Sequence, residues 1–228
     1  MAFDFICVGA QKTGTTWLYN QFQSHPQFAM PKKEIGFVQF PKFPVPSEEN
    51  FLSYKSIFDR IKRMSGDITP YYMIIDWLPD YISNKLPNTK VFAILRNPVD
   101  RAFSQFRMLR FLHPEMSDSF LSCFRSDKAF MRTRGEYARL VRGWQSALGD
   151  RFKVFFHDDM KANSLQFMNS ICEWLGASRM QSVGGMLRPA YFNDGRKVNP
   201  EARKEVSLAY ADQIKQLSDL VGRQLDWS

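Results

Sequence analysis

Short apolar runs alternate along the chain with longer stretches in which apolar residues recur at helical spacing. The runs have the length of buried strands and are followed by polar residues. They cover 3–8, 66–69, 91–95 and 152–156. The longer stretches predict helices over 14–24, 98–111, 136–148, 164–175 and 200–221. This order predicts an α/β domain in which helices flank a central, largely parallel sheet.

Two of the predicted helices carry clear start signals. Asn97 with Pro98, and Asn199 with Pro200, each place an N-capping side chain before a proline at the first helical position. Gly222 follows the last helix and is typical of a helix C-terminus. Ligands of open α/β sheets bind beyond the carboxyl ends of the strands, so the residues that follow the apolar runs are the candidates for function.

Composition bounds the class of protein. With 228 residues, 44% of them hydrophobic, and no linker or low-complexity stretch, residues 1–228 are expected to form one domain. The three cysteines are too few and too scattered for a disulfide framework, which favours a reducing compartment. No apolar run approaches the length of a bilayer span and no leader pattern opens the chain, so we expect a cytoplasmic protein without stable membrane insertion.

The net charge of +8 suits anionic ligands such as nucleotides, sulfated sugars or acidic lipid head groups, and does not choose among them. The densest basic group consists of Arg107, Arg110, Arg125, Lys128, Arg132 and Arg134. Two interpretations of this group stay open, namely a solvated helical face and a basic wall beside the substrate.

The first predicted strand leads into a glycine-bounded loop, in the sequence FDFICVGAQKTGTTWL. Gly9 and Gly14 are spaced as in a P-loop, but Thr15 stands where a P-loop NTPase has its lysine, and Lys12 lies inside the loop. Backbone N–H groups at the helix start, from Gly14 to Thr16, are placed to bind an anion with the help of the helix dipole. The sequence therefore predicts a phosphate site that departs from the Mg²⁺-binding pattern.

A second candidate site follows the strand VFAIL, in the sequence RNPVDRAFSQF. Arg96 directly follows the predicted strand, and Ser104 lies two turns into the helix that begins at Asn97 and Pro98. The two side chains are expected to face one pocket. A guanidinium and a hydroxyl together suit a second phosphate group.

These segments resemble the nucleotide-binding motifs of sulfotransferases that use 3′-phosphoadenosine 5′-phosphosulfate (PAPS). QKTGTTWL is similar to their 5′-phosphosulfate loop, and the Arg96 to Ser104 segment is similar to their 3′-phosphate motif. FNDGRKVNP resembles the glycine-arginine-lysine loop of the Golgi heparan sulfate-type enzymes. The resemblance covers about 3–227 and is closest to that heparan sulfate-type domain and its bacterial relatives.

The resemblance implies a P-loop-NTPase-like three-layer domain that takes PAPS as donor, releases PAP and requires no metal. Lys12 would stabilise the leaving phosphate by its charge. The nucleotide site that the resemblance implies consists of Gln11, Lys12, Thr13, Gly14, Thr15, Thr16, Arg96, Ser104, Gly195, Arg196 and Lys197.

Glu34, in PKKEIGF, is the candidate general base, because heparan sulfate-type enzymes carry a glutamate at the matching place. The alternative is an exposed glutamate paired with Lys32 or Lys33. Cytosolic family members use a histidine instead. His113 is the reserve candidate here, since it follows the helix that carries Ser104.

The acceptor site is the least defined part. Heparan sulfate-type enzymes carry a lysine where Ile68 stands, and Asp67 or Tyr71 is expected to line the acceptor site in its stead. The aromatic and proline-rich segment 36–46 predicts an ordered loop, which either contacts the acceptor or fills the core. A small molecule, a carbohydrate and a lipid all remain open as acceptors, and the oligomeric state is not defined.

Two other classes compete with a sulfotransferase. A P-loop nucleotide or small-molecule kinase would explain Gly9 and Gly14 but not Thr15, and it would require Mg²⁺. A non-catalytic nucleotide- or RNA-binding protein would explain the charge, but the chain lacks an aromatic-basic recognition motif, and no nucleic-acid partner is expected.

Overall fold

The computed structural model describes residues 3–185 and 197–227. Their four strands form one parallel sheet in the order β2-β1-β3-β4. The strands are β1 Phe5–Gly9, β2 Gly66–Ile68, β3 Lys90–Leu95 and β4 Phe152–Phe156. Each lies at a predicted apolar run, so the strand predictions are confirmed to within two residues at either end.

The described ranges contain nine α-helices. They are α1 Thr15–Ser24, α2 Glu48–Ser56, α3 Leu78–Lys85, α4 Pro98–Leu112, α5 Phe120–Arg125, α6 Tyr137–Leu148, α7 His157–Ala162, α8 Ser164–Leu175 and α9 Pro200–Val221. The five predicted helices α1, α4, α6, α8 and α9 are confirmed. Within those ranges, no helix is long and apolar enough to cross a membrane.

The sheet is covered on both faces, because alternate residues of β1 enter two separate clusters. Ile6 and Val8 pack on the face that carries α3 and α6, where Trp144 is buried. Phe5 and Cys7 pack on the opposite face, against α1 and α8. A third cluster joins α4, α5 and α9. The predicted arrangement of a parallel sheet between helical layers is confirmed.

All four strands run in the same direction, so their carboxyl ends lie at one edge of the sheet. The loop from Gly9 follows β1, Arg96 follows β3 and His157 follows β4. Asn97 fixes the turn after β3, since its side chain accepts hydrogen bonds from the N–H groups of Val99 at 2.9 Å and Asp100 at 3.3 Å. This edge is where the sequence analysis places the phosphate sites.

Candidate active site

The glycine-bounded loop opens directly into α1. Gly14 precedes the helix with φ 94°, a left-handed conformation that favours glycine, and a Cβ there would lie 2.6 Å from Cε of Met160. Among the described residues, no side chain caps α1 and no acidic residue lies in its first turn. The N–H groups at this helix start are therefore available to an anion.

Two hydrogen bonds fix the loop, one to the sheet and one within the loop itself. The N–H of Ala10 donates to the carbonyl of Ile94 on β3 at 2.9 Å, and the hydroxyl of buried Thr13 donates to the carbonyl of Ala10 at 2.7 Å. The Thr13 hydroxyl thus acts inside the loop. Thr13 therefore stays a candidate nucleotide-binding residue through its backbone N–H only.

Lys12 and Arg96 are brought together, as the sequence analysis expects. Arg96 Nη1 donates to the carbonyl of Lys12 at 3.2 Å, and Lys12 Nζ lies 3.4 Å from Sδ of Met108 on α4. Burial, together with the positive charges of Arg96 and Lys33, lowers the pKa of Lys12 to about 8. The site therefore concentrates positive charge in a poorly solvated place.

Ser104 lies one helical turn before Met108, so both occupy the face of α4 that is turned to the loop. Ser104 is 3% exposed, and its hydroxyl has no hydrogen-bond partner among the described residues. The same holds for Nε of Arg96, whose pKa is lowered chiefly by burial. Buried polar groups without partners are unusual, and these two suit a ligand that supplies oxygen atoms.

His157 also lies at this site, although it belongs to none of the motifs described above. It follows β4, it is buried, and its Cδ2 atom lies 3.8 Å from the position of a Cβ on Gly14. Burial and the charges of Arg96 and Lys161 lower its pKa to about 3, so the imidazole is neutral. The sequence signal that could have identified His157 as a site residue is its position directly after a predicted strand.

Glu34 lies beyond the carboxyl end of β2, where its N–H donates to the carbonyl of Ile68 at 3.1 Å. Its side chain is 48% exposed and forms an ion pair with Lys33. Its negative charge offsets a small part of the lowering of the pKa of Lys12 and of Arg134, so it lies near both cations. An ion pair with a neighbouring lysine and a role as general base are therefore compatible for Glu34.

Asp67 does not line an open site, which corrects the expectation from sequence. It is fully buried, and its carboxylate accepts hydrogen bonds from the hydroxyls of Tyr54 at 2.9 Å and Thr69 at 2.7 Å. Burial raises its pKa. Tyr71 is half-buried, and its hydroxyl donates to the carbonyl of Val38 at 2.8 Å, so it holds the aromatic segment 36–46 next to Glu34.

His113 lies apart from the loop. It follows the last residue of α4, nine residues beyond Ser104, which corresponds to about 13 Å along a helix. It is exposed, and its Nδ1 lies 3.3 Å from the carboxylate of Glu115. This placement argues against its role as the reserve base.

The remaining predicted nucleotide-binding residues are the glycine-arginine-lysine segment before α9 and Gln11 of the glycine-bounded loop. Gly195 and Arg196 fall outside the described residues. Lys197 is exposed and precedes Asn199, which caps α9 through hydrogen bonds to Glu201 and Ala202. Gln11 lies in the loop, where its side chain accepts a hydrogen bond from Arg134. In the parts of the chain that the structure covers, no three His, Cys, Asp or Glu side chains are grouped to hold a metal ion.

Comparison with known proteins identifies the class. The family model for the sulfotransferase domain matches residues 3–215, and this chain belongs to the sulfotransferase family. Sulfotransferase 6B1 of Homo sapiens is 28% identical over 180 residues, which are 76% of this chain. The chain spans only part of the length of its curated relatives: 55% of this one, and 22% of the membrane-associated sulfotransferase kil1 of Dictyostelium discoideum.

Solved structures show the same fold. A sulfotransferase from Alicyclobacillus acidocaldarius superposes with a TM-score of 0.83 at 24% identity, covering 100% of this chain and 99% of that one. A mouse sulfotransferase crystallised with PAP superposes with a TM-score of 0.60 at 16% identity, covering 96% and 86% of the two chains. The predicted P-loop-NTPase-like fold is thereby confirmed.

Proposed function

We propose that the chain transfers a sulfo group from PAPS to a hydroxyl or amine of an acceptor and releases PAP. One observation carries this proposal. Two cations, Lys12 and Arg96, adjoin an uncapped helix start, and the buried hydroxyl of Ser104 on the facing helix has no described partner. Membership of the sulfotransferase family and the PAP-bound mouse relative support the choice of donor.

The residues present fit a nucleotide with two separate anionic groups. The N–H groups of Gly14, Thr15 and Thr16, with Lys12, would hold the 5′-phosphosulfate. Arg96 and Ser104, each with a buried polar atom that has no described partner, would hold the 3′-phosphate. When bound, PAPS supplies an activated sulfo group on a phosphate leaving group.

Lys12 contributes charge to the reaction. Its ammonium group lies in the loop, where it would neutralise the negative charge that develops on the leaving oxygen. A pKa of about 8 leaves most of this ammonium protonated at pH 7, whereas half is lost at pH 8 before a ligand binds. We therefore expect kcat/KM to fall on the alkaline side, near pH 8.

Glu34 accepts the proton of the acceptor oxygen or nitrogen in this proposal. Its carboxylate is exposed enough to meet an acceptor and lies close enough to Lys12 to affect its pKa. The ion pair with Lys33 holds the side chain at this edge. His157 is neutral but buried, and His113 lies apart from the loop, so neither replaces Glu34 in this role.

Transfer of radiolabelled sulfo group from PAPS to a panel of phenols, alcohols, amines and glycans tests the proposal. We expect transfer by the wild-type protein, with losses of about 100-fold in Lys12→Ala and about 10- to 100-fold in Glu34→Gln. Phosphate transfer from ATP in the presence of Mg²⁺, with no sulfo transfer, would show a kinase. The cytoplasmic location stays a prediction, which microscopy of the tagged full chain would test.

A further inference from the structure

Arg134 is a buried arginine that connects the glycine-bounded loop to an aromatic surface. It is 3% exposed, and its Nη1 donates a hydrogen bond to the side-chain oxygen of Gln11. The ring of Phe40, which is 44% exposed, lies over the guanidinium with 5.6 Å between Cζ and the ring centroid. One side chain thus contacts both the donor loop and a ring that reaches solvent.

The backbone that carries Arg134 is fixed on two sides. The carboxylate of Asp127 accepts hydrogen bonds from the N–H groups of Arg132 at 2.7 Å and Thr133 at 3.1 Å. The hydroxyl of Tyr210 on α9 donates to the carbonyl of Arg132 at 2.9 Å. A Cβ on the neighbouring Gly135 would lie 2.5 Å from the Tyr210 ring, so only glycine permits this close approach.

Arg134 has no carboxylate partner among the described residues, and its Nε has no hydrogen-bond partner there. Removing a charge from water without pairing it is costly, and burial accordingly lowers the pKa of this arginine to about 9. A residue with a purely structural role is better served by an apolar or paired side chain. Its hydrogen bond to Gln11, together with this unpaired buried charge, makes Arg134 a candidate for a role in the site.

Four rings form what we call the aromatic wall: Phe40, Phe43, Tyr71 and Phe130. Phe40 lies 5.6 Å from both Phe43 and Tyr71, and Phe43 lies 5.5 Å from Phe130, measured between ring centroids. None of the four is fully buried. The charge of Glu34 contributes to the raised pKa of Tyr71, which places the wall beside the candidate base.

We propose that Arg134 is a positioning residue that joins Gln11 of the donor loop to the aromatic wall, and that this wall takes the flat ring of an aryl-bearing alcohol. The inference rests on the proposed function and names the class of its acceptor. Flat rings stack on aromatic side chains in offset or edge-on geometry, whereas puckered rings make less contact. Arg134 sets the distance between that ring and the donor loop.

The first experiment is a double-mutant cycle between Arg134→Gln and Gln11→Met, measured as the rate of sulfo transfer. Arg134→Gln is expected to lower kcat 10- to 100-fold while PAP affinity stays within threefold and the melting temperature does not fall. The double variant is expected to be no more than twofold slower than Arg134→Gln, because both changes break one contact. Arg132→Gln, an exposed side chain of the same turn, is the matched control.

The positioning role would be overturned if the rate losses of Arg134→Gln and Gln11→Met multiplied in the double variant. It would also be overturned by an unchanged rate in Arg134→Gln. A parallel fall of PAP affinity and rate would also overturn it, since Arg134 would then act on the nucleotide. A loss of thermal stability with a matching loss of activity would show an ordinary structural role.

The second experiment compares 2-phenylethanol with 2-cyclohexylethanol, which share the same reacting hydroxyl and differ in the flatness of the ring. We expect at least a tenfold higher kcat/KM for 2-phenylethanol, a preference that Phe40→Ala reduces and Phe40→Tyr retains. Equal rates, transfer only to a heparan-type oligosaccharide, or no transfer to any of the three despite PAP binding would overturn the acceptor class. Absence of PAP binding would instead remove the proposed function itself.

Discussion

Replacing Lys12 by methionine should stabilise the ligand-free protein at pH 7 while it removes most of the activity. Methionine keeps the length and apolar stem of the side chain and deletes its charge. The charge is unfavourable in the free protein, because Lys12 is largely buried and faces Arg96 and Lys33. It becomes favourable when an anionic donor is bound.

The magnitude follows from the pKa of Lys12. A fall from 10.5 to about 8 corresponds to about 3 kcal/mol of unfavourable interaction for the charged form. Lys12 keeps some contact with solvent, which reduces this value, so we expect Lys12→Met to raise the free energy of unfolding by about 1–3 kcal/mol at pH 7. Transfer of the sulfo group should fall by about 100- to 1,000-fold.

The sign of the pH dependence is fixed by the same pKa. Between pH 8 and 10.5 the folded wild-type protein binds fewer protons at Lys12 than the unfolded chain does, so its free energy of unfolding rises with pH. The advantage of Lys12→Met should therefore shrink between pH 7 and pH 9.5.

Urea unfolding at these two pH values, followed by tryptophan fluorescence, measures the difference. Lys12→Arg keeps the charge and serves as the control that gains no stability. The charge of Lys12 would not be unfavourable in the free protein if Lys12→Met were less stable than wild type at pH 7. The same conclusion would follow if its gain in free energy of unfolding did not change with pH.

Three further predictions concern neighbouring residues. Arg96→Ala should weaken PAP binding by about 10- to 100-fold and remove the preference for a 3′-phosphate in calorimetry; equal affinity in variant and parent would exclude Arg96 from the nucleotide site. Glu34→Gln should lower kcat and leave PAP affinity unchanged, whereas a normal kcat would require another base. Gly14→Ala should lower the free energy of unfolding by about 1–2 kcal/mol because Gly14 has a left-handed φ. The control Gly143→Ala, with open space around it, should be neutral or stabilising, and equal melting temperatures of the two variants would contradict the prediction.

The strands and the main helices could be predicted because their signals are local. VFAIL is buried on both faces, as central parallel strands are, and therefore shows as an uninterrupted apolar run. Asn97 and Asn199 are N-caps in the structure, as their position before a proline indicates. In contrast, α5 and α7 have six residues each, which is too short for a helical period to appear.

The parts of the site that could not be predicted depend on contacts between distant residues. Asp67 is a charged residue within β2, and nothing local shows that it is buried. Its burial depends on a hydrogen bond from the hydroxyl of Tyr54, which lies on α2. Arg134 contacts Gln11 across 123 positions of sequence, so no local pattern connects them. Lys12 and Arg96 could be assigned to one nucleotide site from the resemblance of their two motifs, and the pairing of β1 with β3 in the structure explains why these motifs meet.

Calorimetric titration with PAP and with ADP, each with Mg²⁺ and with a chelator, tests whether the site binds a 3′-phosphorylated nucleotide without a metal. We expect PAP to bind at least tenfold more tightly than ADP, the chelator to have no effect, and Arg96→Ala to remove the difference. Preference for ADP that depends on Mg²⁺, or no binding of either nucleotide, would contradict this expectation.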